Sequence, residues 1–159
     1  KTAANGALLA LLKLQSQTTA ETHVEFIPNK EEIYNKSVEL INSAKETIHL
    51  ITIGETIPQE LMLANKNATD RGVEFRMIVH KNDEENKTAI ESLKKVGIKI
   101  RHYNDWGFHL LIIDSTALLM GINNPENTNE RQSILFNNAA MTKAMQTYFF
   151  SIWSLAKPK

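Results

Sequence analysis

Ala68-Thr-Asp-Arg-Gly-Val-Glu-Phe-Arg-Met-Ile-Val79 changes period at its middle, and that change decides the fold class. Up to Asp70 it is the tail of a helix of about residues 58–70, in which Leu61, Ala64 and Ala68 share one face and Pro58 suits the first turn. Arg71-Gly72 closes that helix, Gly72 supplying the left-handed stop, and Val73 to Val79 is extended. The same alternation runs outward in both directions. Upstream, Tyr34, Val38 and Ile41 give a helix over 30–45 one apolar stripe, and Thr47 to Ile53 is a strand rich in β-branched residues. Downstream, a helix over 83–96 starts acidic at Asp83, Glu84 and Glu85 and ends basic at Lys94 and Lys95, both favourable to its dipole. Gly97 stops it, and Ile98 to Tyr103 is a third strand. Strands separated by helices must run parallel, joined by right-handed crossovers.

The second half follows another pattern. Phe108 to Ile113 and Ala117 to Ile122 are separated only by Asp114, Ser115 and Thr116, which is a hairpin. A polar loop, Asn123 to Glu130, leads to a short strand at Ser133–Phe136 and a closing helix of about 138–156. Met141, Met145, Tyr148 and Ile152, with Phe149 and Trp153 beside them, predict a wide buried face on that helix. Parallel units, a hairpin and a terminal helix predict a three-layer α/β/α mixed sheet. Ahead of it, Leu8, Leu9, Leu11, Leu12 and Leu14 make an N-terminal extension helix apolar on nearly every side, and Gln15 to Thr22 is a polar linker. The expected division is 1–22, helix and linker, and 23–159, the folded domain.

The chain has 159 residues, with 18 Lys and Arg against 18 Asp and Glu, and 7% aromatic residues. That composition supplies no basic field for nucleic acid. Cysteine is absent, which removes disulfides, thiolate zinc sites and cysteine nucleophiles and fits a cytoplasmic location. No apolar run approaches the ~20 residues of a membrane span, so no membrane partner is expected. Starting at Lys1 without Met or signal peptide, the chain is expected to be a fragment of a longer one. His23, His49, His80, His102 and His109 form no metal motif, so neither metal nor cofactor is expected, and His49 and His102 read as structural. His80-Lys-Asn-Asp-Glu-Glu-Asn-Lys87 reads as a solvated loop and helix start. It follows the carboxyl end of a parallel strand, as does Gly54-Glu55-Thr56, and open α/β sheets place their binding crevice there.

The blocks Ala44-Lys-Glu-Thr-Ile-His-Leu50, Ala68 to Ile78, Leu93-Lys-Lys-Val-Gly-Ile-Lys-Ile-Arg101 and a hairpin with Asp114 and Gly121 resemble, in order and spacing, the phospholipase D-like fold over about residues 27–157. Active members of that family carry His-x-Lys, four residues, Asp, and then Gly-Ser-x-Asn. Anchored on Asp114, the resemblance puts Gly107 at the His position and His109 at the Lys position, while Gly121 and Asn124 match and Ile122 replaces the Ser. The family's His attacks phosphorus, and Gly107 has no nucleophilic atom. His109 lies two residues further along the strand, roughly 7 Å at about 3.3 Å per residue, and cannot replace it. No catalytic residue is therefore expected.

Among degenerate members, the leucine-rich helix, the Arg-Gly-Val block and the ending Tyr148-Phe-Phe-Ser-Ile-Trp-Ser-Leu-Ala-Lys-Pro158 resemble the effector domains of archaeal TrmB-like transcriptional regulators. That resemblance implies a sensor and dimerisation domain following a winged-helix segment, a homodimer paired through Leu8, Leu11 and Leu12, DNA contacted only by the missing segment, and a small-molecule effector. Strand parity puts His109 on the face of the old phosphate site, with Asn124 and Glu130 near it. Trp106, in a loop beside that face, is a ligand platform or a lid, and Glu55 faces the same crevice. The alternatives are a sensory domain of another signalling protein, a phosphodiesterase with a rearranged site, and a pairing module without ligand.

Overall fold

The computed structural model describes residues 5–11, 23–104, 108–123, 126–127 and 129–158. A helix, α1, spans 5–11 with every side chain exposed. The folded domain then runs β1 (His23–Ile27), α2 (Lys30–Ser43), β2 (Thr47–Thr52), α3 (Gln59–Asp70), β3 (Glu74–Val79), α4 (Glu84–Lys95), β4 (Lys99–His102), β5 (Phe108–Ile113), β6 (Ala117–Asn123), β7 (Arg131–Asn137), α5 (Ala139–Leu155) and β8 (Lys157–Pro158).

The helices α2, α4 and α5 begin where the sequence provides a side-chain acceptor for the free first-turn N–H groups. Asn29 accepts from Glu32 N at 2.9 Å to start α2, and Asn138 accepts from Met141 N at 2.9 Å to start α5. Asp83 forms a full capping box with Asn86 at α4. Pro58 stands one place ahead of the expected first turn, at the N-cap of α3. Gly72 and Gly97, with φ of +88° and +100°, are the left-handed stops that follow α3 and α4.

One sheet of eight strands has the order β1-β7-β6-β5-β2-β3-β4-β8. β2, β3 and β4 pair in parallel, and every other pairing is antiparallel. On one face, Ile33 and Ile41 of α2, Leu61, Ala64 and Ala68 of α3, and Ile90 and Leu93 of α4 bury against Ile48, Phe75, Met77 and Leu111. On the other, fully buried Phe149 of α5 meets Ile51, Ile78, Leu110, Ile112 and Leu118, a burial that contributes about 1.5–3 kcal/mol. The three layers expected from the sequence are therefore present.

Two stripes are rotated by one residue from their expected positions. α2 buries Ile33, Ser37 and Ile41, with Tyr34 and Val38 flanking. α5 buries Thr142 and Phe149, while Met141 and Tyr148 are 40% and 36% exposed. The correction has a physical cause: α5 centres on a short threonine whose hydroxyl returns to Asn138 O at 2.7 Å, which a search for large apolar residues passes over. The two edge strands β1 and β8 also escaped the pattern, since their places come from pairing with β7 and β4.

Candidate functional site

A recess opens on the α2/α3 face of the sheet, with about 40 Å³ of space for water centres, enclosed largely by apolar side chains such as Ile33, Leu50, Leu61 and Leu111. Seven polar residues line it; besides Ser37 and Thr52 they are Tyr34 of α2, Glu55 after β2, Asn65 of α3, His109 of β5 and Arg131 of β7. Strand parity accounts for two of them. His109, Leu111 and Ile113 alternate with Leu110 and Ile112, so His109 shares the α2/α3 face, as Arg131, Ser133 and Leu135 do on β7.

Glu55 is the hub at the rim. It accepts a hydrogen bond from Arg131, another from the Tyr34 hydroxyl at 3.4 Å, and meets Lys30 Nζ at 3.2 Å. The Arg131 side chain is only 4% exposed, against 22% for Glu55 and Lys30, so the pair grades from interior to solvent. Burial, with the Glu55 charge second, pushes the Tyr34 hydroxyl up to about 12. Burial also pushes His109 down to about 3, helped by the positive charge of Arg131 and by His80, so its ring is neutral at ordinary pH. Among the described residues, the buried atoms Asn65 Oδ1, His109 Nδ1 and Arg131 Nε have no hydrogen-bond partner.

Asp114, the anchor of the hairpin, is committed elsewhere. Its carboxylate accepts from the backbone N–H groups of Lys45 and Glu46, both at 2.8 Å, and of Thr47 at 3.0 Å. Burial raises its pKa, the three N–H groups outweigh that, and the net result lies below the ordinary value. Asp114 and Ser115 turn the hairpin with φ of +51° and +59°. Gly121 is required by close approach: a Cβ there would collide with Gln132 O and Ser133 Oγ across the β6–β7 ladder.

His109 and Glu55 are thus brought together, as strand parity and topology implied. Glu130 is not in the recess. It is exposed, accepts from Asn127 Nδ2 at 3.0 Å, and lines a separate open cleft of about 910 Å³ with Phe26, Phe108, Met120 and Ile122. Arg131 lines both spaces. Trp106, Gly107 and Asn124 lie outside the described residues, as do Leu12 and Leu14. The sequence reading missed Tyr34, Asn65 and Arg131. Arg131, one residue beyond the alternating run Ser133–Phe136, has the parity that could have found it.

The 80–87 segment needs correction, because His80 and Asn86 are each only 3% exposed. His80 places its ring nitrogens 3.0 Å from Tyr103 O and 3.1 Å from Phe108 O, tying the segment after β4 to the start of β5. Asn86 Nδ2 donates to Lys81 O at 2.7 Å. None of these lines the recess. His49 is structural as expected, stacked on Phe149 with centroids 4.8 Å apart and pushed down to about 4 by burial and then by Arg76. His102 Nε2 lies 3.1 Å from His80 O. Among the described residues no three His, Cys, Asp or Glu side chains group as a metal site, and no helix is long and apolar enough to cross a membrane.

Residues 23–157 match the family model for the transcriptional regulator TrmB, EBD N-terminal subdomain. No curated protein matches the chain. Among solved structures, the phospholipase D family member Nuc from Salmonella typhimurium superposes with a TM-score of 0.73 at 18% identity, over 87% of this chain and 99% of that one. NucT from Helicobacter pylori gives 0.71 at 17%, over 87% and 100%. TrmBL2, an archaeal chromatin protein with its own mode of DNA binding, gives 0.69 at 19% over 99% of this chain. This chain spans 63% of TrmBL2, under two thirds of its length. At these identities the structural likeness establishes the phospholipase D-like fold alone.

Proposed function

Since the chain belongs to the TrmB transcriptional regulator family, through its EBD N-terminal subdomain, we propose that it is the effector-sensing and dimerisation domain of an archaeal regulator of that family and carries out no catalysis. The observation that carries this reading is what occupies the family's site. Anchored on Asp114, the resemblance puts Gly107 at the position of the nucleophile and the neutral, buried His109 where active members have a phosphate-holding lysine. Neither can attack phosphorus and hold its oxygens. The site has kept recognition groups and lost the nucleophile, which suits binding.

The effector site combines the recess, with His109 and Glu55, and the adjoining cleft, with Glu130. Asn124, which matches the family's motif, and Trp106, close in sequence to His109, are proposed as further ligand contacts. A recess of about 40 Å³ is far below the ~300–1,000 Å³ of drug-sized ligand sites, whereas the cleft of about 910 Å³ lies within that range. Arg131 lines both spaces and would report occupancy of the cleft to Glu55, Lys30 and α2. An effector that binds one arrangement of two paired domains better than another shifts the population toward it. Upstream DNA-binding segments would then change spacing, and DNA would be contacted only there, in keeping with the formal net charge of zero in this chain.

Residues 1–22 form the pairing helix and linker in this reading, and 23–159 the sensor. Leu8, Leu9 and Leu11 are 57%, 60% and 59% exposed within the isolated chain, an apolar surface that a second copy would cover. Sedimentation velocity tests the pairing. The native chain should run at twice the mass of one chain, and Leu8→Asp with Leu11→Asp should run as a folded monomer. A monomeric native chain, or a variant that stays dimeric, contradicts the α1 seam.

A further inference from the structure

The two faces of the sheet are covered unequally. Eight strands at about 4.8 Å spacing make a sheet roughly 33 Å wide, and a helix with its side chains is about 10 Å across. Among the described residues, α2, α3 and α4 cover one face, whereas α5 is the only helix on the other. Outside α1, every exposed large apolar side chain among them except Leu63 belongs to α5 or to a strand position on its side.

The part that α5 leaves open is of two kinds. On β3 and β4 it is charged: Arg76 and Lys99 pair with Glu74, and Arg101 lies over Trp153, so water finishes that end. On β1, β7 and β6 it is apolar. Register puts Val24 beside Phe136 and Phe26 beside Ile134, and Met120 and Ile122 continue the same face, with Gln132 the one polar residue among these positions. Phe26 is 59% exposed and Ile122 74%. Three strands span about 10 Å, the width of one helix.

The chain carries a helix with the matching need. α1 exposes Leu8, Leu9 and Leu11, and neither its residues 5–11 nor the open face bears a charge. It is joined to β1, the outer strand of that face, by residues 12–22, eleven residues that span at most about 36–40 Å. β1 starts at His23, opposite Asn137, at the end of the sheet where α5 begins. A second copy lying against this face is within reach of the helix. Two-fold symmetry makes the exchange reciprocal and covers both helices and both faces at once.

Resting on the pairing reading above, we propose that α1 of a second copy docks on the open β1-β7-β6 face, its leucines on Val24, Phe26 and Ile134, and that each chain of the dimer lends its helix to the other. Phe26 and Ile134 also line the cleft that reaches Glu130 and Arg131. The docked helix becomes a wall of that cleft, and an effector held at the Glu130 end touches both chains.

The test uses the absence of cysteine from the chain. A nitroxide is attached to Gly6→Cys, a position where an added Cβ meets nothing within 4 Å, and this chain is mixed with the native 159-residue chain labelled with ¹⁵N. Only contacts between copies can then broaden an amide signal. Those of Val24, Phe26 and Ile134 should be lost, those of Glu91 and Lys95 on α4 kept, and reduction of the nitroxide should restore all of them. Phe26→Asp in the ¹⁵N chain should abolish the loss at Val24 and Ile134; if that variant does not fold, the native mixture decides without it. Loss confined to Leu8, Leu9 and Leu11 means that α1 pairs with α1, which overturns the seat and leaves the pairing standing. Loss at the face only when nitroxide and ¹⁵N share one chain, diluted into native chain, puts the helix on its own sheet and overturns the second copy as its occupant. No loss in either mixture overturns the seat and the α1 seam together.

Discussion

Asp114 accepts hydrogen bonds from three successive backbone N–H groups at the α2–β2 junction, so one side chain holds a hairpin against a loop nearly seventy residues earlier in the chain. Asp114→Ala leaves those donors without a charged acceptor and should cost about 1.5–3 kcal/mol in urea denaturation at pH 7. Asp114→Asn should cost less, because its carbonyl oxygen still accepts. The same carboxylate and two histidines set the acid limb of stability. His49 and His109 protonate near 6.5 when unfolded but only at about 4 and 3 when folded. Between those values the unfolded chain holds more protons, so stability falls as pH drops below 6.5. Asp114, depressed in the fold, adds stability above the ordinary carboxylate range that is lost as pH falls through its folded value. Urea midpoints taken from pH 7 to pH 4.5 should decline in the native chain, and His49→Gln with His109→Gln should flatten that decline by at least half. At this scale only part of the site was legible. His109 and Glu55 follow from parity and topology, whereas Asn65 sits in a helix where a polar residue reads as solvent-facing, and only its neighbours Leu61, Ala64 and Ala68 show that it lies on the buried stripe.

β6 and β7 approach so closely at Gly121 that no Cβ fits between Gln132 O and Ser133 Oγ. Gly121→Ala should therefore cost about 1–3 kcal/mol through overpacking against backbone, read from the urea midpoint. Gly6 in α1 has nothing within 4 Å of an added Cβ, so Gly6→Ala should leave the midpoint unchanged or slightly raised. The contrast separates a glycine kept for a close approach from one that is merely tolerated. Element existence was legible because α2 and α4 carry side-chain caps, α3 and α4 glycine stops, and β2 a run of β-branched residues. The rotated stripes of α2 and α5 were not, because Ser37 and Thr142 are buried by hydrogen-bonding to their own helices at 2.7 Å, to Ile33 O and Asn138 O. Helix periodicity read from large apolar residues alone settles on the flank of such a face.

Across the whole molecule, a central parallel trio flanked by antiparallel strands was legible from the switch between helix-separated strands and a three-residue hairpin. The edges were not: β1 finds its place only by pairing with β7, more than a hundred residues away, and β8 only by pairing with β4. Nor could the sequence show that Arg131, Tyr34 and Glu55 would close one rim, since they meet only once β7 lies two strands from β5 and α2 covers both. What results is a phospholipase D-like sheet in which Asp114 serves as a backbone clamp and in which, among the described residues, Asn65, His109 and Arg131 each keep a buried polar atom without a partner. The most direct test is the rate at which the chain hydrolyses bis(4-nitrophenyl) phosphate, followed by nitrophenolate absorbance. No release above the buffer rate is expected, for the native chain and for His109→Ala alike. Turnover by the native chain that His109→Ala abolishes would mean that the site still performs phosphodiester chemistry, and would contradict a domain kept for binding.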